Sequence, residues 1–288
     1  MALFDAASIN KYALSHSNEI GLDAHVLYED IDTCVDELCK CGNDVPLDSF
    51  RPQKELNPFI WVNGLINSRV RLRLLEIADD FVDSLETDWA KPKDIILTGS
   101  LANYNWSKYS DFDVHVLMDF KEVDERTDFV ADYFNAKKNE WNNKHENLKI
   151  YGFPVEMYIQ DVNEEHTASG VYSLEKNTWL VEPVRSHIKA IQLDKYYIKE
   201  KVMKYAKAIC SLEHAVETED DEYKCGVLSN KVKKLFDRIK YIRKEALKGG
   251  NEMHPDNVVY KALRRHGFIK KLLDLKAEVY DKIHSIER

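Results

Sequence analysis

Two carboxylates, Asp111 and Asp113, open the stretch Asp111–Phe120, in which apolar residues occupy every second position. Side chains of a β-strand point alternately to opposite faces. Phe112, Val114, Val116, Met118 and Phe120 then share one wholly apolar face. Asp111, Asp113, His115, Leu117 and Asp119 share the other. At about 3.3 Å of rise per residue, the first two carboxylates project the same way about 7 Å apart. Such a pair can converge on divalent cations about 3.5–4 Å apart, the arrangement that two-metal phosphoryl transfer requires. Oxygen-only ligation favours Mg²⁺ or Mn²⁺ over zinc.

Gly99-Ser100 ends the apolar run Asp94-Ile-Ile-Leu-Thr98 that comes before the pair. A glycine after a strand lets backbone N–H groups approach a phosphate, and a serine opening a following helix adds a hydroxyl and the positive end of the helix dipole. No GxxxxGK[ST] motif occurs, which excludes a P-loop. In Val155-Glu-Met-Tyr-Ile159, Glu156 and Tyr158 face away from Val155, Met157 and Ile159. A lone acid in an apolar strand is costly unless it is paired or bound to metal. Lys108, in the loop before Asp111, is a further phosphate-binding candidate. Asp119 reads as solvated and His115 as a satisfied strand histidine. His145, His166, His254 and His266 show no ligand spacing.

Thr98-Gly99-Ser100, Asp111-Phe112-Asp113-Val114 and Glu156 together resemble the signature of the polymerase-β-type nucleotidyltransferase superfamily. In particular the text is similar to small stand-alone nucleotidyltransferases of bacteria and their phages. The resemblance is firm over residues 90–160. It implies that Asp111 and Asp113 hold both of two Mg²⁺ (or Mn²⁺) ions. Glu156 would complete the acceptor-side ion and favour deprotonation of the attacking hydroxyl. Gly99 and Ser100 would contact the triphosphate. A helical domain behind the sheet would supply Lys234 or Arg238 to the phosphates and Tyr260 to the base. The implied reaction is transfer of a nucleoside monophosphate from an NTP, the substrate, to a hydroxyl, with release of pyrophosphate. The alternatives are a catalytically silent NTP-binding or partner-binding module of the same fold, antitoxin-like or virion-associated, and an enzyme of related fold that transfers pyrophosphate.

The elements that must hold these residues follow from periodicity. Leu74, Ile77, Ala78, Phe81, Val82 and Leu85 recur at helical spacing, with Asp79, Asp80 and Asp83 opposite. Strands are expected at 94–98, 111–120 and 153–159, with a helix over 125–141. After Pro183 the pattern is helical: Ile198, Val202, Tyr205, Ile209, Leu212 and Val216, then Val232, Leu235, Phe236 and Ile239. Glu217–Glu222 reads as a loop, and Asp256 as the cap of a last helical stretch. The expected fold is α+β: a small mixed sheet flanked by helices at 56–182, then a mainly helical domain at 183–288, with the nucleotide in the cleft between them. Residues 1–55 read as an acidic, helical arm by composition alone.

Charge is divided unevenly. Residues 183–288 hold 24 Lys and Arg against 16 Asp and Glu, and residues 1–182 hold 17 against 34. The basic half favours a polyanionic acceptor, yet no aromatic-interleaved basic stripe suggests binding of duplex DNA. An RNA end such as that of tRNA, a second nucleotide, a protein hydroxyl and a small molecule all remain open as acceptors. No apolar run approaches membrane-spanning length and no leader pattern begins the chain, so a cytoplasmic location is expected. The five cysteines exclude a complete disulfide framework in a lone chain and read as reduced thiols, those at 34, 39 and 41 lacking partners for a zinc site.

Overall fold

The computed structural model describes residues 47, 50–164, 168–185, 194–248 and 253–286. The cysteines at 34, 39 and 41, His166 and most of the arm expected at 1–55 lie outside the described residues. Two compact units divide the chain: residues 48–190 form one, and the C-terminal helices from residue 191 belong to the other.

The first unit opens with a two-stranded hairpin, β1 (Trp61–Val62) and β2 (Leu65–Ile66). Its turn is Asn63-Gly64, both at positive φ, the residue pair that a tight primed turn favours. Helix α1 (Ser68–Asp83) follows, its first turn capped by the Asn67 side chain. Then come β3 (Asp94–Thr98), β4 (Phe112–Met118), the short α2 (Phe120–Val123) and α3 (Thr127–Lys144). Strands β5 (Lys149–Ile150), β6 (Phe153–Asp161), β7 (Val171–Ser173) and β8 (Thr178–Val181) complete the unit.

Six strands form one mixed sheet in the order β5-β6-β4-β3-β7-β8. β4 runs parallel to β6 and antiparallel to β3. The apolar face read from the sequence is the buried one. Phe112, Val114, Val116 and Met118 of β4 pack with Val155 and Met157 of β6 against Val70, Leu74, Ala78 and Phe81 of α1 and Val130 and Phe134 of α3. Each such side chain contributes about 1.5–3 kcal/mol on leaving water, so the register of β4 is strongly fixed. The opposite face carries the acids and, among the described residues, a small apolar cluster of Ile96, Leu117 and Val171.

Helices α4 (Lys195–Thr218), α5 (Glu222–Leu247), α6 (Pro255–Arg265) and α7 (Phe268–His284) make up the described part of the other unit. Asp194 and Asp221 cap α4 and α5, and the expected apolar stripe of α4 is buried throughout. The cap of α6 departs from expectation: it is His254, which accepts from the Asp256 N–H, with Pro255 as the first helical residue. The Asp256 carboxylate instead binds Lys201 Nζ at 2.7 Å and the Tyr197 hydroxyl at 2.9 Å. Cys225 is buried and free. Cys210 is disulfide-bonded, so the expectation of uniformly reduced thiols fails there. Among the described residues no helix is long and apolar enough to cross a membrane.

Candidate active site

β4 aligns Asp113 with Glu156 as direct partners in the parallel pair, and with Thr98 in the antiparallel pair on its other side. Asp111 stands just before β4 begins. One carboxylate oxygen from each of Asp111, Asp113 and Glu156 lies within 4.8 Å of the others, and all three residues are half-buried. Like charges at this separation repel, and a divalent cation relieves that repulsion. The donor set is all oxygen and carboxylate-rich, which fits Mg²⁺ or Mn²⁺.

Gly99 has a role that its place in the motif only partly disclosed. Its φ is +75°, and a Cβ there would stand 1.7 Å from Asp113 Oδ2. The glycine thus leaves the space that the Asp113 carboxylate fills, besides exposing backbone. Ser100 opens no helix, contrary to expectation: residues 99–105 are turns and a bend, so no helix dipole is aimed at the site. The Ser100 hydroxyl donates to Ser110 Oγ at 2.7 Å, and Ser110 also accepts the Ser107 N–H at 3.0 Å. Ser110, buried beside Asp111, therefore closes the loop between the two halves of the motif. The sequence offered only its adjacency to Asp111 as a signal.

Further bonds hold that loop from outside. Trp61 Nε1 donates to Leu101 O at 2.8 Å, and Trp61 itself stacks on Trp179 with centroids 4.4 Å apart. Gln53 donates from its backbone to Tyr104 O and from its amide to Trp106 O. Asn103 donates to Ser169 Oγ, and Thr98 Oγ1 to Gly170 O.

Glu156 is oriented by its neighbour two residues on. The Tyr158 hydroxyl donates to Glu156 Oε2 at 2.5 Å. Burial, then the Glu156 carboxylate, push the Tyr158 phenol well above its usual range, so it remains a donor. His115 stacks on the Tyr158 ring at 4.8 Å and its Nδ1 meets Gln160 Oε1 at 3.0 Å, while Lys138 Nζ stands 5.4 Å from the same ring. His115 is thus the satisfied strand histidine expected. On the outer edge of β6, beyond the short β5, the Asn142 amide bonds both the N–H and the C=O of Met157. That side chain substitutes for a missing strand beside Glu156. Neither Tyr158 nor Asn142 was singled out from the sequence, although the two-residue step from Glu156 to Tyr158 was the available signal.

Residues 78–182 match the nucleotidyltransferase domain family. That stretch, little more than a third of the chain, matches as a nucleotidyltransferase domain and is consistent with the polymerase-β type. It runs from the middle of α1 to just past β8 and includes all three carboxylates and Gly99-Ser100. No curated protein and no solved structure matches the chain. Of the remaining candidates, Lys108 is exposed in the domain's loop, 5.0 Å over the Tyr109 ring. Lys234 and Arg238 are exposed on α5, and Tyr260 on α6 lies 4.2 Å beneath the Arg243 guanidinium. These last three belong to the helical unit. Asp119, read as solvated, caps α2 through the Lys121 N–H.

Proposed function

We propose that the chain transfers a nucleoside monophosphate from an NTP to an acceptor hydroxyl, with release of pyrophosphate. The observation that carries this reading is the convergence of Asp111, Asp113 and Glu156 from two adjacent strands beside the Gly99 turn, within a nucleotidyltransferase domain. Asp111 and Asp113 would hold two Mg²⁺ or Mn²⁺ ions, and Glu156 would share the acceptor-side one. Such ions, when bound, neutralise charge at the reacting phosphorus and acidify the attacking hydroxyl.

The chain's own residues define the rest of the reaction. The acceptor oxygen bonds to the α-phosphorus as the bond from that phosphorus to the β-phosphate bridging oxygen breaks. Pyrophosphate leaves with that electron pair. Glu156 faces the acceptor hydroxyl and favours loss of its proton. With Oε2 held by Tyr158, the other oxygen is the one turned to this task. The Gly99 turn and the Ser100 hydroxyl would contact the triphosphate, and Lys108, in the loop before Asp111, would contribute a charge.

The test is incubation with each α-labelled NTP, Mg²⁺ or Mn²⁺, and total RNA or lysate. Label moving onto RNA, protein or a small product is expected, and its mobility names the acceptor. Asp111→Ala and Asp113→Asn should each lower transfer by about a thousandfold or more while leaving the fold intact. Transfer retained by either folded variant overturns the assignment. Metal-dependent NTP binding without pyrophosphate release would select the silent binding module instead, and AMP release from ATP the pyrophosphate-transferring enzyme.

A further inference from the structure

The acidic half of the chain contains a basic recess. A pocket of about 230 Å³ lies between the start of α1 and the β5–β6 hairpin, lined by Arg69, Val70, Arg73, Lys149, Ile150 and Tyr151. Arg69 and Arg73 stand one helical turn apart, and α1 has no acid in its first turn to offset them. Lys149 comes from the edge strand, paired with Pro154. Arg73 forms an exposed pair with Glu76 at 2.5 Å, worth little in water and easily exchanged for a ligand phosphate. The middle arginine, Arg71, has a structural task instead: it donates to Leu174 O and Glu175 O.

Aromatic surface adjoins these cations. Tyr151 is 50% exposed and Phe59 66% exposed, their ring centroids 6.2 Å apart. Tyr151 has φ +51° and Gly152 φ +84°, a left-handed pair in which Asn or Gly is the usual first residue. The turn holds the Tyr151 ring outward instead of burying it. Cations that track phosphates, set beside exposed rings on which bases stack, are the two elements of single-strand recognition.

Placement relative to the carboxylates narrows the ligand. Because β4 and β6 are parallel, with Phe112 opposite Val155, the β5–β6 turn lies at the end of the sheet where Asp111 stands. From Gly152 to Glu156 the chain advances about 13 Å. The pocket also lies on the α1 side of the sheet, opposite the face that carries the acids. A strand seated there reaches the carboxylates around the sheet's end, so the pocket suits a part of the acceptor upstream of its reacting end.

We infer that Arg69, Arg73, Lys149 and Tyr151 bind the upstream phosphates and a base of a single-stranded nucleic acid, whose end is the acceptor. The acceptor role rests on the transferase reading; the binding does not. The test is fluorescence anisotropy of a short labelled single strand, as RNA and as DNA, with the full chain carrying Asp113→Asn and no NTP. Binding is expected. Adding Arg69→Ala with Lys149→Ala should weaken it at least about tenfold. The same pair should flatten the salt dependence by about 1.4 in log–log slope, about 0.7 for each phosphate no longer neutralised. Tyr151→Asn suits the left-handed backbone and removes only the ring. It should weaken binding about tenfold with the salt slope unchanged. No strand binding, or equal binding by these variants, overturns the inference. So does inorganic pyrophosphate competing at the same concentration as the strand, which would mark a simple anion site. Transfer onto some other acceptor without strand binding would sink this inference alone. Strand binding by a parent chain that transfers nothing would sink the transferase reading and the acceptor role with it, and leave the binding site standing.

Discussion

Replacing Gly99 by alanine separates two uses of the glycine, exposing backbone to a phosphate and making room for a carboxylate. The added Cβ would stand 1.7 Å from Asp113 Oδ2 and 2.7 Å from its Cγ, where ordinary contact begins near 3.4 Å. The oxygen must therefore retreat by about 1.7 Å, because the backbone on both sides is tied into β3 and β4. Misplacement of about 1 Å in a reacting geometry costs about a hundredfold in rate, or about 2.7 kcal/mol. The positive φ adds about 1–2 kcal/mol of strain for any residue with a Cβ. Gly64→Ala is the matched control: its φ is +79°, and an added Cβ meets nothing within 4 Å. Both variants should melt several degrees below the parent. Only Gly99→Ala should lose about a hundredfold in pyrophosphate release and bind Mn²⁺ more weakly by calorimetry. Equal kcat for the two variants, or unchanged Mn²⁺ affinity in Gly99→Ala, would refute the claim that this glycine serves Asp113.

Two other substitutions probe the scaffold. Tyr158→Phe removes a hydrogen bond to a charged acceptor, worth about 1.5–3 kcal/mol. The concentration of Mg²⁺ for half-maximal transfer, and of Mn²⁺ for half-saturation, should rise about tenfold, with melting lowered by a few degrees; identical metal titrations would show that Glu156 needs no such partner. Asp94 is 3% exposed and accepts from Ser173 Oγ, Lys176 Nζ and the Ile95 N–H. Asp94→Ala leaves those donors without their acceptor and should cost about 2 kcal/mol in denaturant unfolding, while the folded fraction keeps full activity. An unaltered unfolding midpoint would contradict that account.

The core of the site was legible because its signals are local and periodic. β3 matches its expected bounds, and β4 shows a period of two because one face is buried and the other is not. β7 gave no such signal: Val171, Tyr172 and Ser173 are all buried, so alternation is lost, and three residues carry little pattern. β8 is an exposed edge held largely by Trp179, which stacks on a residue over a hundred positions away. The β1–β2 hairpin went unread: Asn63-Gly64 signals its turn, but its strands of two residues carry no alternation. The turn after Gly99 and the cap of α6 were misjudged for a common reason. Ser100 and Asp256 were assigned local backbone roles, whereas tertiary partners, Ser110 for one and Lys201 and Tyr197 for the other, claim their side chains.

The pairing of Asp113 with Glu156 also bears on how the chain reaches its native state. A slip of β4 by a single residue would turn Asp111 and Asp113 into the hydrocarbon layer beneath α1 and expose Phe112 and Val114 in their place. Mispaired sheets would bury charge and wet four large side chains at once. The residues assigned to chemistry therefore also proofread strand alignment during folding, so that neutralising them relaxes a safeguard against misfolded isomers.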